Sequence, residues 1–292
     1  MAASLLLVPA PLLAVDAPSL MYRAFFALPQ SITDDDGHPV NALLGTANLI
    51  LFVIERYEPR AVVLCWGAEA ADYRTDAFAA YHADRPPMPP ELERQWRDAP
   101  AFFAAFGWAS ASVADLEADD LLGSLAQIES GAGGEALLFT GDRDMFQCVN
   151  DAVTVLFPRG GKDGPEIVDA PGVRERYGIE PEQVPDFIAL RGDPSDGLPG
   201  AKGIGAKGAR DLLRAHGTLE GVIAAASKPG VMTPRQAGAL TADPDMLHAF
   251  KDIATLRFVD LARPADAPLD RTGAAAAARA RGMDRLAERL TE

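Results

Sequence analysis

Residues 12–16, Leu-Leu-Ala-Val-Asp, form a short apolar run closed by an aspartate, and related runs recur along the chain. Residues 61–66 (AVVLCW), 136–140 (ALLFT) and 153–157 (VTVLF) are short, uncharged and rich in Val and Leu, as strands buried on both faces are. Between them, 41–57 (NALLGTANLILFVIERY) and 117–129 (EADDLLGSLAQIE) carry helical periodicity. The alternation predicts an α/β fold, a mostly parallel central sheet flanked by helices. Ligands bind such sheets beyond the carboxyl ends of the strands. Asp16 closes the first strand and Asp142 follows the third, so both aim at one crevice.

A chain of 292 residues, 48% hydrophobic, has room for one large α/β unit and a smaller appendage without covalent staples. Its formal net charge of −15 excludes a uniformly basic nucleic-acid binder. The cations are nevertheless gathered: 197–216 holds Lys202, Lys207, Arg210 and Arg214 against the single acid Asp211. Cys65 and Cys148 sit in apolar runs and read as small buried hydrophobes, not as a disulfide framework. Residues 1–15 are apolar but lack a basic start and contain Pro9 and Pro11, so no leader and no membrane span is expected. The expectation is a cytoplasmic monomer.

Two further regions break the strand rhythm. Residues 67–110, centred on Arg85-Pro86-Pro87-Met88-Pro89-Pro90, read as a structured insertion able to arch over the strand ends. After about 181 the pattern is helical throughout, which divides the chain into a core of 1–180 and a helical subdomain of 181–292. The alanine-rich stretch 274–280 reads as a solvated helix.

Eight carboxylates fall in four clusters: Asp16, then Glu117, Asp119 and Asp120, then Asp142 and Asp144, then Asp193 and Asp196. Each cluster alone is accounted for by a helix cap or a turn. Together they suit Mg²⁺, a hard ion that takes oxygen ligands and retains water. Two such ions can align and activate water at a phosphate without a histidine base. No zinc spacing, P-loop or dinucleotide fingerprint is present.

The last cluster runs into Gly197-Leu198-Pro199-Gly200-Ala201-Lys202-Gly203-Ile204-Gly205-Ala206-Lys207. Gly203-Ile204-Gly205 suits a hairpin between helices that offers backbone amides to a phosphate, with Lys202, Lys207 and Arg210 beside it. Arg74, Tyr81, His82 and Arg85 could contact phosphate or stack on a base, or simply form a helical cover. Tyr22, Arg23, Phe25 and Phe26 are equally open, with core packing favoured for the phenylalanines.

Five stretches, AVDAPSLMYRAFFAL (14–28), YRTDAFAAYHADRPPMPPEL (73–92), LEADDLLGSLA (116–126), FTGDRDMFQ (139–147) and LRGDPSDGLPGAKGIGAKGA (190–209), resemble the flap endonucleases. Within them the likeness is to the 5′ nuclease domain of bacterial DNA polymerase I and its stand-alone relatives, and it spans about residues 12–259. It implies a PIN-like core with a helical arch at 67–110 and a helix-hairpin-helix at 197–216. The eight acids would hold two or three Mg²⁺ or Mn²⁺ ions, with Asp142 and Asp120 least replaceable. Catalysis would rest on Asp16, Asp120, Asp142, His82 and Arg85. DNA would be held by Arg23, Arg74, Tyr81, Lys202, Gly203, Gly205, Lys207 and Arg210, with a K⁺ at the hairpin. The implied substrate is DNA with 5′ ends, flaps or nicks, extending to RNA-DNA hybrids, in repair or Okazaki-fragment processing and with no polymerase attached.

Three departures from that pattern stand out. Gly67 replaces an aspartate after the second strand, with Glu69 two residues on as a candidate to reach the vacancy, and Gly67→Asp tests whether the missing acid limits the rate. His82 replaces an arch lysine and is a side chain mostly uncharged at neutral pH. Gly197 replaces an asparagine, a change expected to be silent because both residues accept positive φ. The alternative reading is a catalytically impaired protein that binds DNA structures.

Overall fold

The protein is seen as a computed structural model that describes residues 10–159 and 163–292. Its strands are β1 (Leu12–Asp16), β2 (Ala61–Trp66), β3 (Ala109–Ser112), β4 (Ala136–Phe139), β5 (Val153–Phe157) and β6 (Glu166–Val168). They lie in the order β3-β2-β1-β4-β5-β6, parallel except for the antiparallel edge β6. β1 is therefore central, and every one of its residues is buried. β3 is missed by pattern reading because Ala109-Ser110-Ala111-Ser112 has small, mostly exposed side chains at an edge.

Helices α1 (Ala17–Ala27), α2 (Asn41–Tyr57), α3 (Asp72–Ala77), α4 (Pro90–Ala104), α5 (Ala118–Gly131) and α6 (Ala170–Tyr177) connect and cover the strands. They are followed by α7 (Val184–Arg191), α8 (Ala206–His216), α9 (Leu219–Ala226), α10 (Pro234–Thr241), α11 (Pro244–Ala254), α12 (Arg271–Arg279) and α13 (Asp284–Thr291). Alternation along β1 sends Leu13 and Val15 to one face and Leu12 and Ala14 to the other. The first pair joins a core with residues of α1, α2, α4, α12 and α13. The second pair joins a core with α5 and with α7, α8, α9 and α11.

Two expectations change here. The 67–110 insertion is not a free arch throughout: Leu92, Ala99, Phe102 and Phe103 of α4 are fully buried, and Gln95 Oε1 accepts the Ala42 N–H at 2.7 Å. Of this stretch, residues between Gly67 and Pro89, together with Trp96 of α4, border the cavity described below. Nor is 274–280 a solvated helix, because Ala274, Ala275 and Ala278 are buried in the α1–α2–α4 layer. Alanine is there because α12 packs closely, and a small side chain permits that approach.

A strap of 255–270 carries the chain back from α11 to that layer. Arg257 N–H donates to Asp120 (2.8 Å), Val259 N–H to Ser124 (2.9 Å), Ala267 N–H to the Arg60 carbonyl (2.9 Å) and Asp270 N–H to the Phe106 carbonyl (2.9 Å). Arg60 and Arg263 both pair with the buried Glu129. The packing crosses the 180/181 division, because α12 and α13 lie in the α1–α2–α4 layer. Among the described residues, no helix is long and apolar enough to cross a membrane.

Candidate active site

Asp16 ends β1 and caps α1, so its position is fixed by both elements. Its Oδ1 accepts the Ser19 N–H (3.0 Å) and its Oδ2 accepts the Thr140 hydroxyl (2.6 Å). Thr140 in turn accepts the Asp142 N–H (2.9 Å), and Asp142 Oδ1 accepts the Asp144 N–H (2.8 Å). The carboxyl ends of two adjacent strands are thereby tied together. They open into a cavity of about 1360 Å³ whose wall includes Asp16, Glu117, Asp119, Asp142, Asp193 and Asp196. Four separate chain segments contribute these six acids, while Asp120 and Asp144, expected with them, do not line the wall.

Burial raises the Asp16 carboxyl above its ordinary range despite the Thr140 and Ser19 hydrogen bonds. It holds Asp119 well above that range, helped by the charges of Asp142 and Asp16. Asp142 is pushed up to about 7 by burial and then by Asp196. Asp144 is also raised strongly, by burial and then by Asp142. Carboxylates that share a field without enough positive charge behave in this way.

Asp120 departs from expectation. It is fully buried on the helix side, accepting the Glu117 N–H at 3.2 Å and bonds from the Tyr73 hydroxyl (3.1 Å), Arg74 (3.3 Å) and the Arg257 N–H. Its role is the capping box of α5, and it does not reach the cavity. Arg74 and Tyr81, expected on DNA, are buried as well. Arg74 Nη1 donates to Glu117 Oε2 (2.6 Å) and so does the Tyr81 hydroxyl (3.0 Å), while the Ala71 N–H holds Oε1 (2.8 Å). A guanidinium this deep is tolerable only when paired. Arg74 and Tyr81 therefore position Glu117, and Tyr81 also forms part of the cavity wall.

His82 and Arg85 do face the cavity. His82 has φ +56° and its ring stacks on Tyr81 at 3.8 Å. Its Nδ1 lies 3.0 Å from the Glu69 carbonyl and its Nε2 3.0 Å from Asp196 Oδ1. A carbonyl cannot donate, so the Glu69 contact is made by the tautomer with its hydrogen on Nδ1. Arg85 reaches the same oxygen at 3.3 Å. Asp193 is held by Arg191 (2.8 Å) and by Ser195. Arg23 is exposed on α1 and does not line the cavity. Phe25 is buried, but Phe26, also expected in the core, is 71% exposed on the cavity rim.

Gly67 leaves no room for a side chain: a Cβ there would lie 2.3 Å from the Ala118 nitrogen and 2.4 Å from the Glu117 carbonyl carbon. An acid at this position would therefore need the start of α5 to shift. Gly197 has φ +75°, a conformation that asparagine also accepts, yet a Cβ would come within 2.9 Å of the Ala80 carbonyl oxygen, so an asparagine here would need that backbone to shift.

The hairpin follows α7. Gly200 (φ +64°) lies against Gly192, Gly203 has φ +78°, Ile204 is buried, and Gly205 starts α8 with open space in front of it. Lys202 is exposed, while Lys207 (3.1 Å) and Arg210 (2.9 Å) share Asp211. Sequence reading missed Thr140, Tyr73 and Arg143, the last a cation on the cavity wall. Thr140 alone had a signal, its place between a strand and Asp142.

Residues 11–178 match the family described as 5′-3′ exonuclease, N-terminal resolvase-like domain, and residues 179–272 match its C-terminal SAM fold. The chain belongs to the 5′-3′ exonuclease family.

Among relatives of this exonuclease-family chain, a 5′-3′ exonuclease of Streptomyces coelicolor is 36% identical over 277 residues, 89% of this chain and 88% of its own length. The thermostable DNA polymerase I of Thermus thermophilus is 41% identical over 211 residues, 72% of this chain. The match spans only 25% of the polymerase's length. Among solved structures, T5 D15 protein co-crystallised with metal ions superposes with a TM-score of 0.68 at 16% identity, covering 96% of this chain and 97% of that one. The catalytic core of Rad2 in complex with DNA substrate gives 0.64 at 12% identity, covering 97% and 92%. At these identities the likeness is one of fold. None of these findings supports the impaired-protein alternative.

The acids of this exonuclease-family site fit a divalent ion in kind. They are oxygen donors only, several are depleted of counter-charge, and they border open space. Among the described residues, no three His, Cys, Asp or Glu side chains close on a single point, so ligation calls for side-chain movement into the cavity.

Proposed function

We propose that this chain is a divalent-metal-dependent 5′ nuclease that hydrolyses DNA phosphodiesters near 5′ ends and flaps. The observation that carries this reading is the convergence of acids from four chain segments on one cavity, with Asp16, Asp119 and Asp142 all raised in pKa. Mg²⁺ or Mn²⁺, when bound, supplies Lewis acidity at the phosphoryl oxygens and a more acidic water. Asp16, Asp119, Asp142, Asp193 and Asp196 are the side chains to hold such ions, with Glu117 braced behind them and Asp144 beside Asp142. Arg85 and His82, which both meet Asp196 Oδ1, would receive a phosphate oxygen. The hairpin of Gly203 and Gly205, with Lys202 and Lys207, would hold the duplex backbone without reading its sequence, with K⁺ as a candidate ion there.

Purified protein with Mg²⁺ or Mn²⁺ should shorten a 5′-flap duplex, and Asp142→Asn should do so at least about 100-fold more slowly, the order expected when an electrostatic stabiliser is lost. Equal rates for the two proteins would end the proposal. Matched flap, nicked, blunt and RNA-DNA substrates would define the preference.

A further inference from the structure

Arg235, on the first turn of α10, lays its guanidinium over the phosphate hairpin. A Cβ built on Gly203 would lie 3.0 Å from an Arg235 Nη and 3.6 Å from its Cζ and Nε. The space that a side chain at 203 would fill is thus occupied by a cation from another helix. The helix that carries it is fixed: the Thr233 hydroxyl accepts the Gln236 N–H (3.3 Å), Gln236 returns a bond to the Thr233 N–H (3.3 Å), and Pro234 opens the first turn. The cations around the hairpin differ in their compensation. Lys207 and Arg210 both lean on Asp211, whereas Lys202 and Arg235 are exposed and, among the described residues, have no ion pair and no side-chain hydrogen bond.

We propose that Arg235 is a further phosphate contact, which extends the duplex grip from the hairpin onto α10. This rests on the reading of the chain as a DNA nuclease. The guanidinium sits beside the Gly203 backbone, and its planar fork can bond phosphate in bidentate fashion. Its charge is not already spent on a carboxylate, so each bound phosphate would displace condensed counterions in full.

The test is equilibrium binding of a 5′-flap duplex in EDTA, with salt varied between about 50 and 200 mM. Arg235→Gln should reduce the slope of log affinity against log salt by about 0.9 and weaken binding several-fold, and Arg235→Lys should restore the slope but only part of the affinity. Arg285→Gln, on α13, removes the same charge from a helix packed on the core, and its slope should equal that of the wild type. A wild-type slope in Arg235→Gln overturns the inference while leaving the nuclease reading in place. Equal losses in Arg285→Gln and Arg235→Gln overturn it too, because net charge alone would then explain them. A wild-type protein that fails to bind the flap removes both the inference and the reading beneath it.

Discussion

Gly67 and Glu117 meet backbone to backbone: a Cβ on Gly67 would stand 2.6 Å from the Glu117 Cα. The exit of β2 is wedged against the start of α5, and the wedge helps set where the Glu117 and Asp119 side chains enter the cavity. What looks in the sequence like a lost ligand is a packing contact.

Gly67→Asp is accordingly expected to lower stability by about 1–3 kcal/mol or more, as overpacking does, with no gain in cleavage. Gly67→Ala should share most of that loss, since the Cβ alone clashes. Thermal melts and flap cleavage of both variants check this, and a faster enzyme with an unchanged melting temperature would contradict it.

Arg74→Gln should cost about 3–5 kcal/mol, because it strands Glu117 and Asp120 as buried acids without their partner. A residue that served mainly to contact DNA would instead weaken binding at constant melting temperature. Urea unfolding alongside flap binding separates the two.

The raised acids give a pH dependence whose sign is fixed. Between its ordinary 3.8 and about 7, Asp142 keeps a proton in the folded state that the unfolded chain has released. The folded protein then binds more protons, so stability falls as pH rises through that window and levels above it. Asp16, Asp119 and Asp144 act in the same direction. In EDTA the melting temperature should fall from about pH 5 to about pH 7.5, and Asp142→Asn should flatten part of the fall. Added Mg²⁺ should raise it more at the higher pH. A flat profile in EDTA counts against the crowded-acid description.

Ala275→Glu tests the placement of α12. Ala275 is 1% exposed against the α/β layer, so a carboxylate there should cost more than about 2 kcal/mol. A surface helix would tolerate the change within about 0.5 kcal/mol.

The strands β1, β2, β4 and β5 were legible because strands buried on both faces must be apolar throughout, and Asp16 and Asp142 because they punctuate two of those runs. Their shared cavity follows from topology. What spacing could not tell was which acid looks inward. Asp119 and Asp120 are neighbours on one helical turn, yet the first faces the cavity and the second caps the helix, a choice made by Arg74, Tyr73 and the Arg257 backbone from distant segments. Arg74 and Tyr81 read as surface groups because charge and hydroxyl usually are, and only the fold supplies the buried acids that hold them inside. Phe26 erred the other way, an apolar side chain that α1 turns to solvent. Alanine-rich 274–280 carries no polarity signal of its own, so its burial had to come from what packs on it.

The strap has a mechanical corollary. Because 255–270 is stitched to Asp120, Ser124, Arg60 and Phe106, the hairpin module is anchored at both of its ends, like a span resting on two abutments. Tension on a gripped duplex would be borne by the sheet through both piers, and the module has no single hinge on which to swing away from the acids. Heat should accordingly melt the two parts in one transition.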